Sequence, residues 1–246
     1  EGETTVYQGM LAETVHIQGH NGDDIETYFA RPLGAGPYPG VVVIHHMPGW
    51  DESSKEIARK FAYNGYVAIC PNLHYREAPG SNSDDAAAAV RAAGGVPDDR
   101  CIGDVEGATN YLRSLPYSNG KVGVIGYCSG GRQVYLVACN IPSLDAAVDC
   151  YGGRVVASSD QLTPAGPVAP IDMTADLACP LLGLFGAEDA NPDEFARWQA
   201  EIIAKSPPPV EKNVQSPARK NAGFTFPTSG QQPEWIWSEK QISPTA

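Results

Sequence analysis

The chain has 246 residues, 42% of them apolar and 19% charged, with a formal net charge of −12. That length suits one large domain or two small ones, and the apolar fraction excludes a wholly disordered chain. The acidic balance, with no basic block, argues against non-specific binding to nucleic acid or an anionic membrane surface.

The first 30 residues alternate weakly. Thr14–Gln18 and Ile25–Ala30 flank a turn-like Gly19-His20-Asn21-Gly22-Asp23, which predicts a hairpin. Val41–His45 is nearly all apolar and reads as a strand buried on both faces. Ser54–Asn64 places Ile57, Ala58, Phe61 and Ala62 on one helical side, with Gly65 as a C-cap. Tyr66–Cys70 is the next strand, stopped by Pro71. Asp98–Leu115 spaces Ile102, Val105, Thr109 and Leu112 by threes and fours, an amphipathic helix with acidic residues in its first turn. Strand Lys121–Tyr127, helix Ser129–Cys139, and strands Asp145–Tyr151 and Leu181–Phe185 follow. A helix is then predicted over Asn191–Lys205, with Asn191 as N-cap and Pro192 at the first helical position. Strands alternating with helices predict an α/β fold with a mostly parallel sheet covered on both faces, one domain over 1–205.

Residues 206–246 differ. They hold prolines at 207, 208, 209, 217, 227, 233 and 244 without sustained periodicity, so this Pro-rich segment is read as atypical. Short elements at Val210–Val214 and Glu234–Lys240 are the weakest of the series. No apolar run approaches the roughly 20 residues that span a bilayer, and Glu1-Gly2-Glu3 does not open a basic-then-apolar leader. The cysteines at 70, 101, 128, 139, 150 and 179 form no CxxC pair, which suggests buried thiols in a reducing, cytoplasmic setting.

The chemistry concentrates in Val124-Ile125-Gly126-Tyr127-Cys128-Ser129-Gly130-Gly131. A buried strand running through Gly-x-Cys-x-Gly into a helix is a nucleophile elbow with cysteine in place of serine. The turn strains the nucleophile's backbone, and the flanking glycines avoid clashes with neighbouring elements. The thiol then sits at the positive end of a helix, which favours thiolate, and the Ser129 N–H points toward a nascent oxyanion.

These residues resemble the dienelactone hydrolase, or carboxymethylenebutenolidase, family of α/β-hydrolases. The resemblance extends through Val41–His46 with Met47-Pro48-Gly49-Trp50, through Gly65–Leu73, and through Leu184-Phe185-Gly186-Ala187-Glu188-Asp189. It implies an α/β-hydrolase fold and hydrolysis of a small ester or lactone, with no metal or organic cofactor. It further implies Cys128 as nucleophile, Asp189 as triad acid, and the N–H groups of Met47 and Ser129 as the oxyanion hole. Arg76 falls where the family holds a substrate carboxylate, with an ordinary ion pair as the alternative. Trp50 and Tyr127 are expected to border the substrate. A monomer is the default state for the architecture, with a dimer as the alternative.

One feature departs from the family. The histidines are at 16, 20, 45, 46 and 74, so none follows Cys128, where an α/β-hydrolase places its base. The segment matching the family's histidine loop is Asn221-Ala222-Gly223-Phe224, with phenylalanine where the family has histidine. His46 stands where the resemblance places a glutamate beside the resting cysteine, and an imidazole there offers a replacement base. The other readings are a catalytically impaired relative acting as a binding protein, and a redox-sensing thiol at Cys128.

Overall fold

In the computed structural model, which describes residues 9–185, the long apolar runs occupy the middle of the sheet. Strands β1 (Met10–Gln18) and β2 (Asp24–Pro32) form the antiparallel hairpin, paired in nine rungs from Met10↔Pro32 to Gln18↔Asp24. Then come β3 (Tyr38–Ile44), α1 (Glu52–Tyr63), β4 (Val67–Pro71), α2 (Ser83–Ala92) and α3 (Asp98–Ser114). The series continues with β5 (Ser118–Tyr127), α4 (Ser129–Asn140), β6 (Ala146–Cys150) and β7 (Leu181–Leu184). The sheet order is β1-β2-β4-β3-β5-β6-β7. From β4 onward all pairs are parallel, while β2 docks antiparallel on β4. This is the α/β-hydrolase architecture anticipated from the sequence.

Alternation along β3 explains the two-sided burial. Val41, Val42, Val43 and Ile44 are all buried. Val42 and Ile44 join Val105, Leu112, Val124 and Val134 in one apolar cluster beneath α3 and α4. Val41 and Val43 point the opposite way, because successive side chains on a strand alternate faces. Helix α1 starts at Asp51, whose side chain accepts the Ser54 N–H and so satisfies one orphan donor of the first turn.

Helix α2 was not anticipated. Its Ser83–Ala92 stretch contains a run of alanines, which erases the polar–apolar contrast on which periodicity depends. The signals it does carry are an Asn82 cap onto the Asp85 N–H and acidic residues in the first turn. The predicted helix Asn191–Lys205, residues 206–246, Phe224 and Asp189 lie outside the described residues.

Candidate active site

Parallel strands β3 and β5 are neighbours, so the loops after them leave from the same edge of the sheet. The open carboxyl edge of such a sheet is where α/β proteins place ligands. Cys128 follows β5 directly, with φ 54° and ψ −117°, and is the N-cap residue of α4. A positive φ is uncommon for a residue with a Cβ and stores backbone strain. Hydrogen bonds hold the turn. The Cys128 N–H donates to Cys150 O at 3.0 Å, and Cys128 O accepts the Gly131 N–H at 2.9 Å.

The glycines around Cys128 are required by close contacts. A Cβ on Gly126 would lie 2.3 Å from Gly130 O, and one on Gly130 would lie 2.5 Å from Ile44 O. On Gly131 it would meet Asp149 Oδ1 at 2.3 Å. The result is an exposed thiol on a rigid turn, while the other five cysteines are buried and all six are free. Ser129 opens α4, so its N–H has no intrahelical acceptor and lies at the positive end of the helix. Met47 is half-buried in the loop after β3.

His46 and Cys128 follow neighbouring strands out of the same edge of the sheet. Ile44 pairs with Gly126 in the parallel ladder, and His46 and Cys128 each lie two residues beyond. The His46 Nε2 is 2.8 Å from Asp51 Oδ2, and Asp51 Oδ1 accepts the Ser54 N–H at 2.8 Å. Burial opposes ionisation of Asp51, but the Ser54 N–H and the His46 ring outweigh it and hold the carboxyl below its usual range. An ionised carboxylate only accepts, so the His46 proton toward Asp51 sits on Nε2 and Nδ1 is left as the basic nitrogen. Asp51 is the residue that sequence reasoning missed. Its signal was an Asp three residues before Ser54, a standard helix-cap spacing.

His45 has a different task. Its Nε2 accepts the Leu73 N–H at 3.2 Å, so the proton is on Nδ1, which donates to His46 O at 2.8 Å. Burial and the neighbouring His74 lower its pKa to about 3, so it is a neutral brace between the β3 and β4 loops. The His45 and His74 rings meet edge to face with centroids 4.6 Å apart. Among the described residues, no group of three His, Cys, Asp or Glu side chains is placed to share a metal ion.

Arg76 takes the ion-pair alternative. Its Nη1 and Nη2 donate to Asp104 at 2.8 and 2.9 Å, and its Nε donates to Asp23 at 2.7 Å. Asp104 is fully buried, so the fork that a substrate carboxylate would need is already matched by a protein carboxylate. Trp50 is likewise engaged: its indole N–H donates to Cys70 O at 2.7 Å, and Lys55 Nζ lies 3.9 Å from its ring centroid. Tyr127 ends β5 beside the cysteine, 6.2 Å between ring centroids from the exposed Tyr151, and burial raises its phenol pKa.

One further carboxyl lies close by. Asp149 on β6 is fully buried; Oδ1 accepts the Gly152 N–H at 2.8 Å, while Oδ2 has no partner among the described residues. Burial raises its pKa to about 7, against a smaller opposing effect of the Gly152 N–H.

Comparison with known proteins agrees with this architecture. The family model described as the dienelactone hydrolase family matches residues 25–206. A candidate carboxymethylenebutenolidase of Methylorubrum extorquens is 33% identical over 183 residues, 74% of this chain and 61% of that protein. The carboxymethylenebutenolidase of Pseudomonas putida is 35% identical over 148 residues, 58% of this chain and 62% of that protein. The chain thus spans less than two thirds of the length of these relatives. The crystal structure of a candidate dienelactone hydrolase from Klebsiella pneumoniae superposes with a TM-score of 0.71 at 28% identity, covering 80% of this chain and 82% of that one. The chain belongs to the dienelactone hydrolase family of α/β-hydrolases.

Proposed function

We propose that this protein cleaves a small ester or lactone through Cys128. The observation that carries the proposal is an exposed cysteine in a strained backbone conformation, at the turn from β5 into α4, on the open edge of the sheet. His46 takes the thiol proton, and the thiolate attacks the carbonyl carbon. The N–H groups of Met47 and Ser129 receive the oxyanion, and preorganised backbone donors of this kind are among the largest contributions to such reactions. Collapse of the tetrahedral intermediate breaks the bond to the alkoxide, which takes the proton back from His46. Water then gives His46 a proton and attacks the thioester, and the Cys128 thiolate is expelled and takes that proton back from His46.

The resemblance assigns Asp189 the part of the family-type acid; with no histidine in residues 129–246 to partner it, it takes no step in the His46 route. Tyr127 borders the acyl group, with Trp50 behind the oxyanion loop. With Arg76 already paired to Asp104 and Asp23, a neutral substrate is favoured over an anionic one. The six free thiols support a reducing, cytoplasmic setting.

The test is intact-protein mass over time with p-nitrophenyl acetate at pH 7.5, alongside p-nitrophenolate release, for wild type and Cys128→Ala. Steady release that disappears with Cys128 is the expected result. Full activity in Cys128→Ala overturns the proposal. One persistent acetyl group on Cys128 favours the second reading, an impaired relative that acylates without turnover; the absence of histidine from residues 129–246 motivates that reading.

A further inference from the structure

We infer that Asp51 is the positioning residue of the general base: it fixes His46 with Nδ1 basic, so that a His46–Asp51 pair replaces the acid–histidine arm usually supplied after the nucleophile. The inference rests on the proposed Cys128 chemistry and adds a residue that the family resemblance does not assign. Three observations carry it. The Nε2 to Oδ2 distance is 2.8 Å, a full hydrogen bond. Asp51 is itself held, because its second oxygen caps α1 through Ser54 N–H. The parallel ladder of β3 and β5 runs to the Ile44–Gly126 pair, two residues before His46 and Cys128 in the chain, so both leave the same edge of the sheet side by side.

The arrangement has a topological reason. Cys128 follows β5, and β3 and β7 stand on opposite sides of that strand in the sheet. A base on the β3 side therefore draws its acid from its own loop, within five residues, rather than from the end of β7. When the Cys128 thiol gives its proton to Nδ1, the ring becomes cationic, and the Asp51 carboxylate already on Nε2–H stabilises it without moving. The same carboxylate fixes the tautomer, since any other would leave the Nε2 lone pair facing an anion.

Asp51→Asn isolates this role, because asparagine is as good an N-cap as aspartate and keeps the acceptor for Ser54 N–H. Its amide N–H2 facing Nε2 instead favours the tautomer with the proton on Nδ1, which cannot accept from the thiol. Two rates are read at pH 7.5: acetylation by p-nitrophenyl acetate and alkylation of Cys128 by iodoacetamide, each by intact mass. Asp51→Asn and His46→Gln are each expected to lower acetylation about 100-fold. The double variant should be no slower than either single one, the signature of residues acting as a unit. Asp51→Ser, also a good cap, should match Asp51→Asn, and thermal melting identifies any variant that has lost the fold.

A wild-type rate in folded Asp51→Asn or Asp51→Ser, with His46→Gln slow, overturns the inference and leaves His46 as the base. Wild-type rates in all three, with Cys128→Ala inactive, overturn both the pair and the base but leave the nucleophile. Activity that ignores Cys128→Ala overturns the parent reading instead.

Discussion

Cys128, Gly126 and Gly130 behave as one unit because the two glycines press first on backbone atoms, which cannot rotate aside. A methyl group on Gly130 would press on Ile44 O and on His45 O, 2.5 and 2.7 Å away, and so on the strand end that carries His46. Gly130→Ala should therefore cost about 1–3 kcal/mol. It should also reduce the acetylation rate of Cys128, because β3 and α4 must move apart. Urea denaturation and the acetylation burst check the two effects on the same sample. The His45 and His46 pair shows how adjacent residues diverge in role. The first is buried with both ring nitrogens in hydrogen bonds, and the second reaches Asp51 from the same strand end. Both lie just past the end of β3, and that adjacent side chains there take different directions was legible in the sequence. Which of them faced a carboxylate was not, because Asp51 arrives through the turn closed by Gly49 N–H on His46 O.

The elements are tied together by ion pairs as well as by the apolar core. Arg76, after β4, clamps the β1–β2 turn through Asp23 and α3 through Asp104. Asp104 also accepts the His20 N–H from the same turn at 2.8 Å. Removing the guanidinium leaves a fully buried carboxylate without its counter-charge, so Arg76→Ala should destabilise the fold by about 3–5 kcal/mol. If Arg76 instead received substrate, the variant would raise KM for anionic esters selectively. The expected outcome is a lower denaturation midpoint with KM for neutral and anionic esters changed in equal proportion. The strands and helices with clear periodicity or long apolar runs were readable, as the match of Lys121–Tyr127 to β5 illustrates. Alanine-rich α2 was not, since its face is set by what packs on it and not by a contrast within its sequence.

For the whole molecule, the buried Asp149 links stability to pH. Its carboxyl titrates near pH 7 in the fold and near 3.8 in the unfolded chain. Between those values the unfolded chain releases the proton and the native state keeps it, so the native state binds more protons and stability falls as pH rises. The contribution is complete below about pH 4 and lost through pH 7, amounting to roughly 4 kcal/mol at most. Self-repulsion from the net charge of −12 acts in the same direction, so the comparison with Asp149→Asn is what isolates the carboxyl. That variant keeps an acceptor for Gly152 N–H, and its urea midpoint should vary less between pH 5 and 8 than that of wild type. An identical slope would mean that Asp149 does not titrate there.

By itself the sequence determined the periodicities, the glycine-flanked cysteine between strand and helix, and the lack of histidine in residues 129–246, because these are properties of residue order. The tertiary structure alone decided the partners. The fold brought Asp23 of the hairpin turn and Asp104 of α3 around Arg76, and the pairing of β3 with β5 sent the segments of His46 and Cys128 out of one edge of the sheet. Charged groups choose partners by distance and burial after folding, and neither quantity is written in the local pattern of the chain.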